Sequence, residues 1–126
     1  MTLPIALVDG EEYLIREVQE MLRPEIEVVH VCIDVDTALT ELQPGFAGSH
    51  RCPVGSNADL PPDQRRPPRA VLVDARMPVG LELRIGNVAG VPTVRTRPGP
   101  PAAGLVADLI RGEVRRLIDE GAIQPE

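Results

Sequence analysis

The sequence predicts an α/β fold in which helices cover both faces of a parallel sheet. Segments typical of strands and of helices alternate along the chain, which is the pattern of parallel βαβ units. The continuous aliphatic run Ala70–Val73 is typical of a central strand buried on both faces, and Asp74 follows it directly. Because ligands bind outside the carboxyl ends of parallel strands, this strand and its aspartate are the centre of the predicted architecture.

The chain opens with a predicted strand at Pro4–Val8, which ends in a turn at Asp9 and Gly10. A helix then begins at Glu11 or Glu12, because acidic side chains suit the positive end of a helix dipole. Pro24 ends this helix. Its apolar face consists of residues at helical spacing, namely Leu14, Ile15, Val18, Met21 and Leu22.

A second strand is predicted at Ile26–Cys32, which alternates and is rich in β-branched residues. Asp36 is predicted to cap a short helix that carries Ala38, Leu39 and Leu42. The segment Pro44–Arg69 then contains six prolines and no apolar period, so we expect a flexible surface insertion. A small basic cluster lies within it, formed by Arg65, Arg66 and Arg69.

After the central strand, Val79–Ala89 predicts at best a weak helix, because Gly86 interrupts it. Val91–Thr96 predicts another strand, and Ala102–Glu120 gives the clearest helix, with Gly121 at its C′ position. This order of elements predicts a flavodoxin-like sheet in one domain that is incomplete at its C-terminal end.

Composition excludes several classes of function. Of the 126 residues, 13 are basic and 19 acidic, so the net charge of −6 argues against direct nucleic-acid binding. No apolar run approaches the length of a membrane span, and the first residues lack the basic region of a signal peptide. Cys32 and Cys52 show no metal or redox spacing, so we expect a reduced protein in the cytoplasm, with Cys32 as buried packing.

Asp9 and Asp74 end two predicted parallel strands, and their carboxylates are therefore expected to converge at one edge of the sheet. Such a pair can bind a cation or take part in chemistry. The alternative is that both residues only cap turns, where aspartate is common.

Several segments resemble the receiver domain of bacterial response regulators. IALVDGEEYLIREVQEML is similar to that family's first strand, acidic turn and first helix, and IEVVHVCIDVDTALTEL to its second strand and helix. AVLVDARMP resembles its most diagnostic motif, a strand followed by the phosphate-accepting aspartate and a turn. LELRIGNVAGVPTVRT resembles a shortened third helix and fourth strand. The resemblance implies that Asp74 stands at the phosphoacceptor position, Asp9 in the acidic pocket, and Thr96 near the switch hydroxyl.

The chain departs from that family at two functional positions. Gly10 stands where the family has a second carboxylate that ligates Mg²⁺, so Asp9 and Asp74 imply at most weak Mg²⁺ binding. All 13 basic residues are arginines, so the family's lysine is missing. Arg97 or Arg95 is the candidate for a cation that faces a phosphate.

The C-terminal part aligns with the family in two ways. In the preferred alignment Val91–Thr96 is the fourth strand, Ala102–Glu120 the fourth helix, and GAIQPE the start of a fifth strand. In the alternative, Val91–Arg97 is the fifth strand, with Arg97 and Pro98 in place of a Lys-Pro pair, and the long helix is the last one.

The favoured function is an atypical receiver that requires no cofactor, is not an enzyme and works without phosphorylation, because two losses of preorganised charge make phosphoryl transfer slow. It would act through a protein partner or through dimerisation by the helix Ala102–Glu120, whose apolar stripe we expect to be uncovered. If it regulates transcription, the DNA reader lies outside this sequence. A conventional phosphoaccepting receiver with a sensor kinase is one alternative. A small phosphatase with Asp74 as nucleophile is another, although Arg76 stands where such enzymes have a second aspartate.

Overall fold

The computed structural model describes residues 2–124 and contains four parallel strands, four α-helices and one turn of 3₁₀ helix. The elements, in chain order, are β1 (Leu3–Val8), α1 (Glu12–Leu22), β2 (Ile26–Cys32), α2 (Val35–Glu41), the 3₁₀ turn (Pro62–Gln64), β3 (Val71–Val73), α3 (Leu81–Ala89), β4 (Thr93–Arg95) and α4 (Ala103–Asp119). The strand order is β2-β1-β3-β4, and every pair is parallel. This arrangement confirms the predicted flavodoxin-like α/β class.

The sheet separates two apolar layers. Alternate residues of β1 point in opposite directions, so Leu3, Ile5 and Leu7 face α1 and α4, whereas Ala6 and Val8 face α2 and α3. β1 and β3 are buried along their whole length, as expected for central strands that carry helices on both faces. None of the described helices is both long and apolar enough to cross a membrane.

The cap of α2 differs from the prediction. Asp34, not Asp36, is the N-cap, and its side chain accepts a hydrogen bond of 2.8 Å from the backbone N–H of Thr37. Asp36 lies two residues further on, in the first turn of the helix, where its negative charge suits the N-terminal end of the helix dipole. The helix therefore begins two residues earlier than the expected cap would allow.

The insertion makes more contacts than the sequence indicated. Cys52 and Val54 are buried in the same apolar layer as α1 and α4, so the expectation of a segment without apolar anchors is wrong. Backbone N–H groups of Ser56 and Asn57 donate to the carbonyl oxygens of residues 28 and 29, at 3.1 and 2.9 Å. The insertion thus runs along β2, which is an edge strand of the sheet. Its mobility in solution stays a prediction.

The C-terminal part agrees with the preferred alignment in its strand and differs from it in its helix. β4 lies beside β3, as expected for a fourth strand, whereas α4 does not lie where a fourth helix is expected. β2 lies on one side of β1 in the sheet, and β3 and β4 lie on the other side. The chain therefore moves along the sheet in one direction from β1 to β2 and in the opposite direction from β2 to β3 and β4. With right-handed crossovers, a helix that leads to a strand beyond β4 would lie on the face of α3. α4 instead packs beside α1, on the opposite face. Residues 121–124 form a turn and irregular structure, so they do not begin a fifth strand; Pro125 and Glu126 lie outside the described residues.

The apolar stripe of α4 is not uncovered, because it fills the layer beside α1. Its buried residues are Ala103, Val106, Ala107, Ile110, Val114 and Leu117. These residues are therefore not free to form an interface, whereas Leu105 on the same helix is exposed; dimerisation stays a prediction. The helix bounds and the cap at Gly121, whose φ is +76°, agree with the prediction.

Candidate functional site

The two predicted carboxylates meet at the carboxyl edge of the sheet, because β1 and β3 are neighbours and end at the same level. Val8 pairs with Val73 in register, and Asp9 and Asp74 follow them. The backbone N–H of Asp74 donates to the carbonyl oxygen of Val8 at 2.9 Å, which ties the two strand ends together. The side chains are 5% and 12% exposed, so both carboxylates lie below the surface.

Arg76 lies directly on this carboxylate pair. Its Nε donates to Oδ2 of Asp74 at 2.8 Å, and its backbone N–H donates to the same oxygen at 2.9 Å. Nη2 lies 3.6 Å from Oδ2 of Asp9, and Nη1 lies 3.6 Å from Oε1 of Glu11. We call the group formed by Asp9, Asp74 and Arg76 the acidic corner. The chain itself supplies the cation of this corner.

From the sequence, Arg76 is predicted only as part of the turn that leaves β3. The signal that could have revealed its role is its spacing, since a residue two positions after Asp74 can fold back onto the carboxylate through both backbone and side chain. Such a contact is local and does not depend on distant packing. An arginine at this position of an acidic turn is therefore a candidate partner for the preceding aspartate.

Burial dominates the electrostatics of Asp9 and raises the pKa of its carboxyl to about 6. The negative charge of Asp74 acts in the same direction. The backbone N–H of Glu11, which donates to Oδ1 of Asp9 at 2.9 Å, and the guanidinium of Arg76 act in the opposite direction and lower the pKa. The hydrogen bond to Asp74 raises the pKa of Arg76, so this arginine stays charged.

The space inside the corner is small. The cavity that Asp9, Asp74 and Thr96 line together with apolar side chains of β1, β3 and α4 has a volume of about 10 Å³. This is about the space of one water molecule. A Mg²⁺ ion with octahedral oxygen ligands, several of them water, needs more room than this cavity offers. Within residues 2–124, Asp9 and Asp74 are not joined by a third His, Cys, Asp or Glu in a cluster tight enough for a metal ion.

Thr96 is brought to the corner, as the resemblance implied. Its backbone N–H donates to the carbonyl oxygen of Val73 at 2.9 Å, and its hydroxyl lies 3.5 Å from the same oxygen. The residue is buried and lines the small cavity beside Asp74. The Thr96 residue and the Asp74 residue therefore border the same small cavity.

The two arginines predicted as phosphate-facing cations do not form an ion pair with the Asp74 carboxylate, although Nη1 of Arg95 donates to the backbone carbonyl oxygen of Asp74 at 3.3 Å. Arg95 donates to carbonyl oxygens of the loop between β3 and α3, among them Met77 at 2.7 Å, and pairs with Glu82 at 2.8 Å. It fastens that loop to β4 and leaves the carboxylate of Asp74 to Arg76. Arg97 is exposed and makes no ion pair with any residue of the described part of the chain.

Gly10, the other departure from the receiver pattern, has room for a side chain. A Cβ atom at this position would lie 3.8 Å from the carbonyl oxygen of Ile33, an ordinary van der Waals distance. The missing carboxylate therefore does not reflect a lack of space at the backbone. An aspartate at this position can be tested directly.

Comparison with known proteins found no family model, no curated protein and no solved structure that matches this chain. The fold and the geometry of the acidic corner are therefore the grounds on which the function is proposed.

Proposed function

We propose that this chain is an atypical receiver-like signalling module, which works without phosphorylation and acts through protein contact at the carboxyl edge of its sheet. The observation that supports this most directly is the position of Arg76. It already places a positive charge in the pocket in which a conventional receiver would hold Mg²⁺ and accept a phosphoryl group. The positive charge at the acidic corner is thus supplied by a residue of the chain itself.

Phosphorylation of Asp74 would meet three obstacles. Oδ2 of Asp74 already accepts two hydrogen bonds from Arg76, which would have to break before this oxygen could attack. The cavity beside it, of about 10 Å³, has no room for a hydrated metal ion. No lysine is available to neutralise the transferred group. Each lost preorganised charge costs about 10²–10³ in rate, so transfer should be very slow.

The exposed apolar side chains support a contact surface at the same edge. In a parallel α/β sheet, every helix that follows a strand begins at the carboxyl edge. Four of the five large apolar side chains exposed in the described residues lie in or next to such a first turn, namely Tyr13, Val79, Leu83 and Leu105. Val79 is fully exposed beside the β3–α3 loop. A protein partner that binds at this edge would cover these side chains.

The experiment is incubation with acetyl phosphate and Mg²⁺, followed by intact mass measurement. The wild type should gain no phosphoryl group over a period in which a conventional receiver is fully modified. The Asp74→Asn variant is the matched control for modification at other sites. Rapid, stoichiometric phosphorylation of the wild type that Asp74→Asn abolishes would refute the proposal and favour the conventional receiver.

Two further variants test which residues slow the phosphorylation of Asp74. Gly10→Asp supplies the missing carboxylate at a position with room for it, and Arg76→Ala removes the resident cation. The double variant should accept phosphate faster than the wild type, because Mg²⁺ can then replace the guanidinium. If neither change alters the rate, Arg76 is not the obstacle that this proposal makes it.

A further inference from the structure

A second group of polar side chains lies buried on the face of the sheet that α2 and α3 cover, opposite the face that lines the cavity of the acidic corner. His30 and Cys32 alternate on β2 and therefore point to the same side, towards α2, where Glu41 ends the helix. Nε2 of His30 lies 2.7 Å from Oε1 of Glu41. One ligand atom from each of the three side chains lies within 4.8 Å of the others, and all three residues are buried.

We propose that His30, Cys32 and Glu41 form a Zn²⁺ site with three protein ligands and a fourth position open to solvent. Imidazole nitrogen, thiolate sulfur and carboxylate oxygen are the ligand types that Zn²⁺ takes in proteins, and three protein ligands with one open position are typical of sites that bind an exchangeable ligand. The ligand atoms already converge. Tetrahedral coordination requires only that the hydrogen bond between His30 and Glu41 open around the ion.

The charge of the three ligands matches the ion. A Zn²⁺ ion bound by one thiolate, one carboxylate and one neutral imidazole gives a site without net charge, which lowers the cost of burying it. Binding releases the proton of the Cys32 thiol, and His30 keeps one ring proton and stays neutral.

The site has an entry path and an outer contact. His30 and Glu41 line a cavity of about 440 Å³ between α2, the end of α3 and the insertion, and a solvent ligand can reach the ion from it. The second oxygen of Glu41 accepts the backbone N–H of Arg51 at 3.1 Å, which orients the carboxylate. The ring of His50 stacks on His30 at 3.7 Å, and its Nδ1 is buried without a hydrogen-bond partner.

A role for Cys32 as a free nucleophile does not fit the same geometry. The residue has no exposed surface and does not line the large cavity, so a substrate could not reach its sulfur. A metal ion seated between the three side chains needs no such access to the sulfur. The geometry therefore favours Cys32 as a ligand.

The test is a titration of the reduced wild-type protein with Co²⁺, followed by competition with Zn²⁺. Tetrahedral Co²⁺ bound to a thiolate should give visible ligand-field bands and a near-ultraviolet sulfur-to-cobalt charge-transfer band, and Zn²⁺ should abolish both. Cys32→Ser should remove the charge-transfer band. Cys52→Ser is the matched control, because Cys52 lies in the other apolar layer and its Sγ contacts Glu12, so the band should persist.

Glu41→Gln is the second variant, because glutamine can keep a hydrogen bond to His30 while it removes the carboxylate charge. It should lower Zn²⁺ affinity by at least about 10-fold to 100-fold, the range that loss of even an outer contact causes. Far-ultraviolet circular dichroism of each metal-free variant shows whether the fold is retained. The proposal is overturned if the wild type gives no charge-transfer band, if Cys52→Ser removes it, or if a folded Glu41→Gln binds Zn²⁺ as tightly as the wild type.

Discussion

The replacement Asp9→Asn tests whether the acidic corner is maintained at the expense of stability. The Asp9 carboxyl is buried and ends β1, and its pKa is raised from 3.8 to about 6, mainly by burial. The folded state therefore binds this proton more tightly than the unfolded state does. Because the unfolded chain releases the proton first as pH rises, the free energy of unfolding contributed by Asp9 falls between pH 4 and pH 6.

The magnitude follows from the size of the shift. A change of about 2 pKa units corresponds to about 3 kcal/mol, which is the most that the ionised carboxylate can cost the folded state above pH 6. Asparagine keeps the acceptor that receives the N–H of Glu11 and removes the buried charge. Its amide would, however, face the guanidinium of Arg76, so the gain is smaller than this upper bound. We expect Asp9→Asn to be more stable than the wild type at pH 7 and nearly equal to it at pH 4.

Urea denaturation at intervals from pH 4 to pH 8 measures this difference directly. Asp59→Asn is the control, because Asp59 is exposed in the insertion and its replacement should give no comparable change with pH. A lower stability of Asp9→Asn at pH 7, or a difference from the wild type that does not change between pH 4 and pH 7, would refute the reasoning. The first result would mean that attraction to Arg76 outweighs burial.

Three further predictions concern the segments around the sheet. Gly55→Ala should destabilise the protein by about 1–3 kcal/mol, because the added Cβ would lie 2.6 Å from a carbonyl oxygen of β2. Gly112→Ala lies in open space on α4 and should stabilise the protein by up to about 1 kcal/mol. Thermal unfolding of the two variants measures both effects. Asn57→Ala should speed trypsin cleavage within 65–69, because it removes two hydrogen bonds, of 2.7 and 3.0 Å, that anchor that stretch; unchanged cleavage would show that the anchor is not limiting. Arg95→Lys should speed amide hydrogen exchange in the β3–α3 loop, since one ammonium group cannot replace the fork of donors, and equal exchange rates would contradict this role.

The elements that the sequence predicts well are those whose pattern is local. β2 was predicted with the bounds Ile26–Cys32 that the structure has, because β-branched residues and alternation act within the strand itself. The long helix was predicted to within a residue at each end, Ala102–Glu120 against Ala103–Asp119, since its apolar period and the glycine after it are also local. The convergence of Asp9 and Asp74 followed from the rule that parallel strands end at one edge.

The errors concern features that only tertiary structure decides. Two acidic residues two positions apart, Asp34 and Asp36, could each cap α2, and the entry of the chain from β2 selects the first. The face on which α4 packs depends on the direction in which the chain has crossed the sheet, which no periodicity reveals. The direction of Arg95 likewise depends on the position of the β3–α3 loop. The insertion is anchored by the burial of Cys52 and Val54. Two apolar residues do not make a periodic pattern that the sequence could reveal.

The placement of α4 determines when the chain can fold during its synthesis. The apolar layer that contains Leu3, Ile5 and Leu7 of the first strand is completed only by the last helix. Until about residue 119 has left the ribosome, α1 is the only described helix that covers this side of the sheet, so a nascent chain of 100 residues has no closed core there. The first strand therefore completes its packing only after α4 has been synthesised. We expect shortened chains that stop before α4 to aggregate, and a helix peptide of residues 103–119 supplied separately to rescue them.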